Sequence, residues 1–96
     1  MEWKMCVNFY ATLRQVVGAK SVEFSVPAHA TVRHLVDKML AAYPGLRKEL
    51  FDEQGHLYGH VHVLVNGRDV PYLADELDTE LKPDDRVSVF PAVGGG

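Results

Sequence analysis

The sequence predicts an α+β domain in which one long helix packs on a mixed sheet of four to five strands. Three observations carry that prediction. Val32, Leu35, Val36, Met39, Leu40 and Tyr43 follow one another at helical spacing, a single apolar stripe. Apolar residues alternate with polar ones on either side of it, as strands with one buried face require. Turn-forming residues separate the segments: Gly18, Pro27, Pro44-Gly45 and Asn66-Gly67.

Taken in order, Trp3, Met5, Val7 and Phe9 recur every second residue and define the first strand. A short helical turn fits residues 12–17, with Gly18 as its C-cap. Val22, Phe24 and Val26 alternate with Glu23 and Ser25 in a second strand that Pro27 stops, so the N-terminus reads as a hairpin. Thr31 N-caps the long helix, its hydroxyl accepting from a first-turn N–H. Pro44 ends that helix because the residue before a proline is pushed out of the helical region. A second short helix is expected at residues 46–51 and a polar loop at 52–59. Val61, Val63 and Val65 form the next strand, and Asn66-Gly67 supplies a type I′ turn into residues 68–70. Residues 71–85 read as irregular with one helical turn near 73–77, and residues 86–90 as the last strand, ended by Pro91. The order permits a β-grasp fold.

The 96 residues suffice for one core, with no disulfide or metal needed to explain folding. A net charge of −3 with dispersed Lys and Arg argues against nucleic acid as the main partner, because phosphate neutralisation needs a concentrated basic face. The single Cys6 forms no internal disulfide, no apolar run is long enough to span a bilayer, and the first residues are unlike a secretory leader. The expectation is a cytoplasmic domain with no membrane partner.

Several stretches then resemble a known family. Val7-Asn8-Phe9-Tyr10-Ala11-Thr12-Leu13-Arg14-Gln15, Tyr43-Pro44 followed by Leu46, Val65-Asn66-Gly67-Arg68, and Leu81-Lys82-Pro83-Asp84-Asp85-Arg86-Val87 resemble the MoaD pattern in the same order. The ending Val89-Phe90-Pro91-Ala92-Val93-Gly94-Gly95-Gly96 is the most specific match. The chain is thereby identified as similar to the MoaD/ThiS-type sulfur carriers and related ubiquitin-like small modifiers over its whole length. Asp84 replaces a usual turn glycine, and a third glycine stands where serine or alanine commonly precedes the last two. Residues 52–70 are longer than in ThiS and resemble the branch that includes archaeal modifiers and the carrier of a cysteine-synthesis pathway.

The resemblance implies a ubiquitin-like β-grasp domain over residues 1–91 and a flexible glycine tail over 92–96. It further implies that the chain is no enzyme but a protein cosubstrate. A MoeB/ThiF-like activating enzyme would use ATP to adenylylate the Gly96 carboxylate, and a sulfurtransferase would convert the adenylate to a thiocarboxylate. The sulfur would go to an acceptor such as a molybdopterin synthase large subunit, or to cysteine or tRNA thiolation. The alternative is a modifier joined through Gly96 to lysines of target proteins. No cofactor is expected on this chain. Gly94, Gly95 and Gly96 suit the role physically, since glycine lacks a Cβ and lets backbone thread a narrow channel. Residues 91–96 extend roughly 20 Å, enough to enter a partner's site, and Pro91 fixes the direction of departure.

Side chains elsewhere are read more plainly. His56, His60 and His62 match no zinc spacing, lack a fourth ligand, and read as surface histidines, so no metal is expected. Cys6 reads as a packing residue out of phase with the buried positions. If the valines of the last strands face the helix, His62, Leu64 and Phe90 face outward. With Pro91 and Val93 they make a candidate partner-docking patch beside the tail. The acidic run Asp75, Glu76, Asp78, Glu80, Asp84 and Asp85 reads as a solvated stretch that also steers the tail towards a basic groove.

Overall fold

The computed structural model describes residues 2–59 and 61–91. The first strand, β1 (Glu2–Phe9), turns Met5, Val7 and Phe9 inward, all fully buried, and leaves Lys4 and Cys6 exposed. A short helix α1 (Leu13–Val17) leads through Gly18, at φ 78°, into β2 (Ser21–Pro27). That left-handed geometry is open to glycine without a Cβ clash, which is why the helix stops there. β2 pairs antiparallel with β1, Met5 opposite Phe24.

The long helix α2 (Val32–Ala42) starts where Thr31 Oγ1 accepts from His34 N at 3.2 Å. Its stripe of Val32, Leu35, Val36, Met39 and Leu40 is buried against the sheet side of the core. Tyr43 caps its C-terminus, and α3 (Leu46–Leu50) follows Pro44-Gly45 with Leu46 and Leu50 fully buried. Burial of such side chains stabilises by about 1.5–3 kcal/mol each.

β3 (His62–Val65) and β4 (Arg68–Asp69) form the expected two-residue hairpin, with Asn66 at φ 54° and Gly67 at φ 84°. Both positive angles are what a type I′ turn requires. β5 (Val87–Phe90) inserts between β1 and β3, giving the order β2-β1-β5-β3-β4. β5 runs parallel to β1 and antiparallel to β3, so the sheet is mixed, with α2 across one face: a β-grasp.

Residues 79–81 staple the start of α2. Val32 N donates to Thr79 O at 3.0 Å, Leu81 N donates to Ala30 O at 2.8 Å, and Leu81 is fully buried. A second staple ties the hairpin to the start of β5. Asn66 N donates to Arg86 O at 2.8 Å, Arg86 N to Asn66 Oδ1 at 2.9 Å, and Asn66 Nδ2 to Asp85 Oδ1 at 2.8 Å. Asp85 Oδ2 accepts in turn from Lys82 N at 2.8 Å.

Two local expectations shift. The strand expected through Val70 ends at Asp69, because Asp69 Oδ1 accepts from Val70 N at 2.9 Å and caps a 3₁₀ turn, Val70–Tyr72. Pro71 inside it has no N–H for a ladder. The turn expected near 73–77 forms at Glu76–Asp78, with Glu76 at φ 49°. The expected tail, residues 92–96, lies outside the described residues.

Candidate functional site

The sheet face turned away from α2 is where the candidate site is built. On it His62 stands opposite Phe90, and Leu64 opposite Ser88 on one side and Asp69 on the other. Asn8 of β1 pairs beside Ser88, so three strands contribute. Leu64 and Phe90 are half-buried and His62 is exposed. Pro91, immediately after β5, is buried.

A stack of three side chains covers the end of this face. The Tyr10 ring lies on the Phe90 ring, centroids 4.2 Å apart and planes at 11°. Arg14 Cζ sits 5.3 Å from the Tyr10 centroid, and Arg14 Nε donates to Phe9 O at 2.8 Å. Tyr10 N donates to Val89 O at 3.2 Å, continuing the β1–β5 pairing one step past β1. Ala11 follows at φ 53°, the tight turn that lets Arg14 fold back over the ring. Ring pairs of this kind contribute about 0.5–1.5 kcal/mol, and an exposed cation over a ring about 0.5–1 kcal/mol. Phe90 is therefore held from one side, which is why it is half-buried rather than open. The consequence is that the end of β5 is held in place up to Pro91.

His62 is fixed as well. Its Nδ1 lies 2.5 Å from Asp69 Oδ2, while Asp69 Oδ1 holds Val70 N. The two-residue hairpin sets that meeting, since it places Asp69 opposite Leu64 and within diagonal reach of His62. This end of the face thus combines aromatic and aliphatic surface with the Arg14 cation and the His62–Asp69 pair.

Of the residues expected to act, His62, Leu64 and Phe90 share this face and Pro91 adjoins it; Val93, Gly94, Gly95 and Gly96 lie outside the described residues. Tyr10 and Arg14 were not expected as part of the patch. The available signal was that Tyr10 breaks the inward alternation ending at Phe9, with Arg14 one helical turn further on. Cys6 is exposed on the same face but pairs with Glu23 on the β2 side. His56 belongs to the 52–56 turn, where its N and Gln54 N both donate to Asp52 Oδ1 at 2.9 Å. His60 lies outside the described residues. Among the described residues, no three His, Cys, Asp or Glu side chains are grouped to hold a metal ion, and no helix is long and apolar enough to cross a membrane.

The acidic run is partly structural. Asp78 Oδ1 accepts from Arg33 Nε at 3.2 Å, Glu80 Oε2 meets His29 Nδ1 at 3.1 Å, and Asp85 serves the hairpin staple. Asp75 and Glu76 carry no ion pair among the described residues.

Comparison with known proteins places this geometry. The family model described as the ThiS family matches residues 7–96. Small archaeal modifier protein 3 of Haloferax volcanii is 46% identical over 90 residues, covering 94% of this chain and 96% of that protein. The crystal structure of small archaeal modifier protein 1 of H. volcanii superposes with a TM-score of 0.82 at 32% identity, covering 95% of this chain and 99% of that one. The crystal structure of the Amycolatopsis orientalis BexX/CysO complex contains a chain matching at TM-score 0.75 and 31% identity, covering 96% of this chain and 99% of that one.

Proposed function

This chain belongs to the ThiS family of ubiquitin-like carriers and modifiers, and from that premise we propose that it is a sulfur carrier working through the carboxylate of Gly96. An activating enzyme of MoeB/ThiF type supplies ATP. A carboxylate oxygen of Gly96 attacks the α-phosphorus, pyrophosphate leaves, and an acyl-adenylate forms. The terminal sulfur of a sulfurtransferase persulfide then displaces AMP. A second thiol cleaves the resulting acyl disulfide and is itself left in a disulfide with the sulfurtransferase cysteine, and the Gly96 thiocarboxylate so released carries the sulfur to an acceptor enzyme. Beyond the Gly96 carboxylate itself, this chain contributes no side-chain acid, base or nucleophile to those steps; its part is to dock and to deliver. The nucleotide binds the partner, not this domain.

One observation supports the reading above others. Buried Pro91, at the end of the clamped β5, directly precedes Ala92-Val93-Gly94-Gly95-Gly96, and the Tyr10, Leu64 and Phe90 patch lies beside that exit. A partner seated on the patch has next to it a tail whose last three residues, Gly94-Gly95-Gly96, carry no Cβ and fit a narrow channel. The solved BexX/CysO complex shows that a relative of this chain is found assembled with another protein. The acceptor, whether a molybdopterin synthase large subunit or an enzyme of cysteine or tRNA thiolation, follows from the partner rather than from this domain.

A second reading is favoured by the relatives named small archaeal modifier proteins. In it the same adenylate is passed to a lysine amine on a target protein, joining Gly96 by an amide bond.

The test is mass spectrometry of the tryptic peptide 87–96 from protein taken from its own cells under non-reducing conditions. Sulfur in place of one oxygen at Gly96 supports the carrier. A peptide branched onto a foreign lysine supports the modifier. Unaltered free acid, even after incubation with the activating enzyme and ATP, refutes both. Deleting Gly95 and Gly96 is expected to abolish either product while leaving the unfolding midpoint unchanged, because a glycine has no side chain to bury.

A further inference from the structure

A groove lies on the helix side of the molecule, away from the outer sheet face. Its cavity of about 430 Å³ is floored by Leu57, Val70, Pro71, Ala74 and Leu77. The carboxylates of Asp75 and Glu76 line it without ion-pair partners among the described residues. The cation in its wall, Arg33, is held by Asp78 at 3.2 Å. Beside it, Tyr72 follows groove-lining Pro71 and is 77% exposed, the only large apolar side chain so exposed among the described residues. An apolar floor with unneutralised carboxylates at its rim and an exposed aromatic ring alongside matches one chemistry: an apolar side chain flanked by cations.

We infer that this groove docks a short apolar–basic peptide segment of a partner protein. A leucine-like side chain sits on the Leu57–Leu77 floor, and lysine or arginine on either side meets Asp75, Glu76 and the Tyr72 ring. The surface is separate from the outer-face patch, so a partner held here leaves Tyr10, Leu64 and Phe90 free for a second protein. The inference does not depend on the chemistry of the tail. It gives the acidic run a use beyond the contacts of Asp78, Glu80 and Asp85.

The experiment is amide NMR of the full ¹⁵N-labelled chain titrated with an amidated peptide of alternating lysine and leucine, against one of lysine and serine. The lysine–leucine peptide is expected to give saturating shifts at Leu57, Val70, Ala74 and Leu77. The lysine–serine peptide is expected to bind at least several-fold more weakly. The double variant Asp75→Asn, Glu76→Gln removes two exposed charge contacts and is expected to weaken binding roughly fivefold. Ala74→Arg, which fills the groove with a cation at an exposed position, is expected to abolish the shifts while retaining the native spectrum elsewhere. Equal response to both peptides, shifts centred on His62 and Leu64, or no saturation at all would each overturn the inference.

Discussion

Replacing Asn66 tests the staple that aligns the outer face. Asn66 holds a left-handed backbone at φ 54°, and its side chain both accepts from Arg86 N and donates to Asp85 Oδ1. Asn66→Ala removes both bonds and leaves a β-carbon in the left-handed region without the side-chain contacts that offset its cost. The lost bonds are exposed and contribute about 0.5–1 kcal/mol each, and the conformation costs about 1 kcal/mol more. The sum is about 2–3 kcal/mol, or about 10–20 °C in Tm for a domain of this size. Asn66→Gly loses the same two bonds without the backbone cost, so about 1–2 kcal/mol is expected. Urea unfolding followed by the fluorescence of Trp3, half-buried on β1 with its ring 5.4 Å from that of His29, gives both values. The slope m should stay constant, since the surface exposed on unfolding is unchanged. Equal losses for the alanine and glycine variants, or a loss below about 0.5 kcal/mol for alanine, would refute the account of this turn.

Three further outcomes are expected. Leu81→Ala should destabilise by about 2–5 kcal/mol, because a fully buried side chain in the segment stapling α2 leaves a cavity; calorimetry reads it directly. Thr31→Ala should cost about 1 kcal/mol through the lost cap to His34 N, while Thr31→Ser should cost much less, by the same urea assay. Leu64→Asp should raise the KM of this chain in ATP–pyrophosphate exchange by about tenfold or more, the loss expected of a central interface residue. Its Tm should fall only slightly, because Leu64 is half-buried and faces away from the core; a KM within about twofold of the parent chain would show that the activating enzyme does not use this face.

The elements set by local rules were legible in the chain. The stripe from Val32 to Leu40, the Thr31 cap, the Gly18 stop and the Asn66-Gly67 turn each follow from chemistry within a few residues, and each is where the sequence puts it. Even the fold class was readable, because the closing motif around Phe90 and Pro91 is specific. What local pattern does not encode is which distant pieces meet. Nothing in the alternation of residues 87–90 says that β5 enters the sheet beside β1, yet that insertion brings Tyr10 over Phe90. The groove is hidden for the same reason, being assembled from Leu57, Val70 and Leu77, with Arg33 of α2 in its wall. The end of β4 at Asp69 was missed because a side-chain cap outcompeted the ladder, a contest that strand propensity does not score.

The central place of β5 carries a consequence for how the molecule is made. Among the described residues it is the last strand in chain order, yet it occupies the middle of the sheet between β1 and β3. A nascent chain can form the β1–β2 hairpin and α2 early, because those contacts are local, but the gap between β1 and β3 stays open until residues 87–90 emerge. Val7, Phe9, Val63 and Val65 stay incompletely covered until then. The residues that close the sheet also complete the face formed by Leu64 and Phe90 and lead straight into Pro91. Completion of the sheet and assembly of this face are therefore one event, and a chain in which residues 87–90 have yet to enter the sheet offers a partner no assembled surface to recognise.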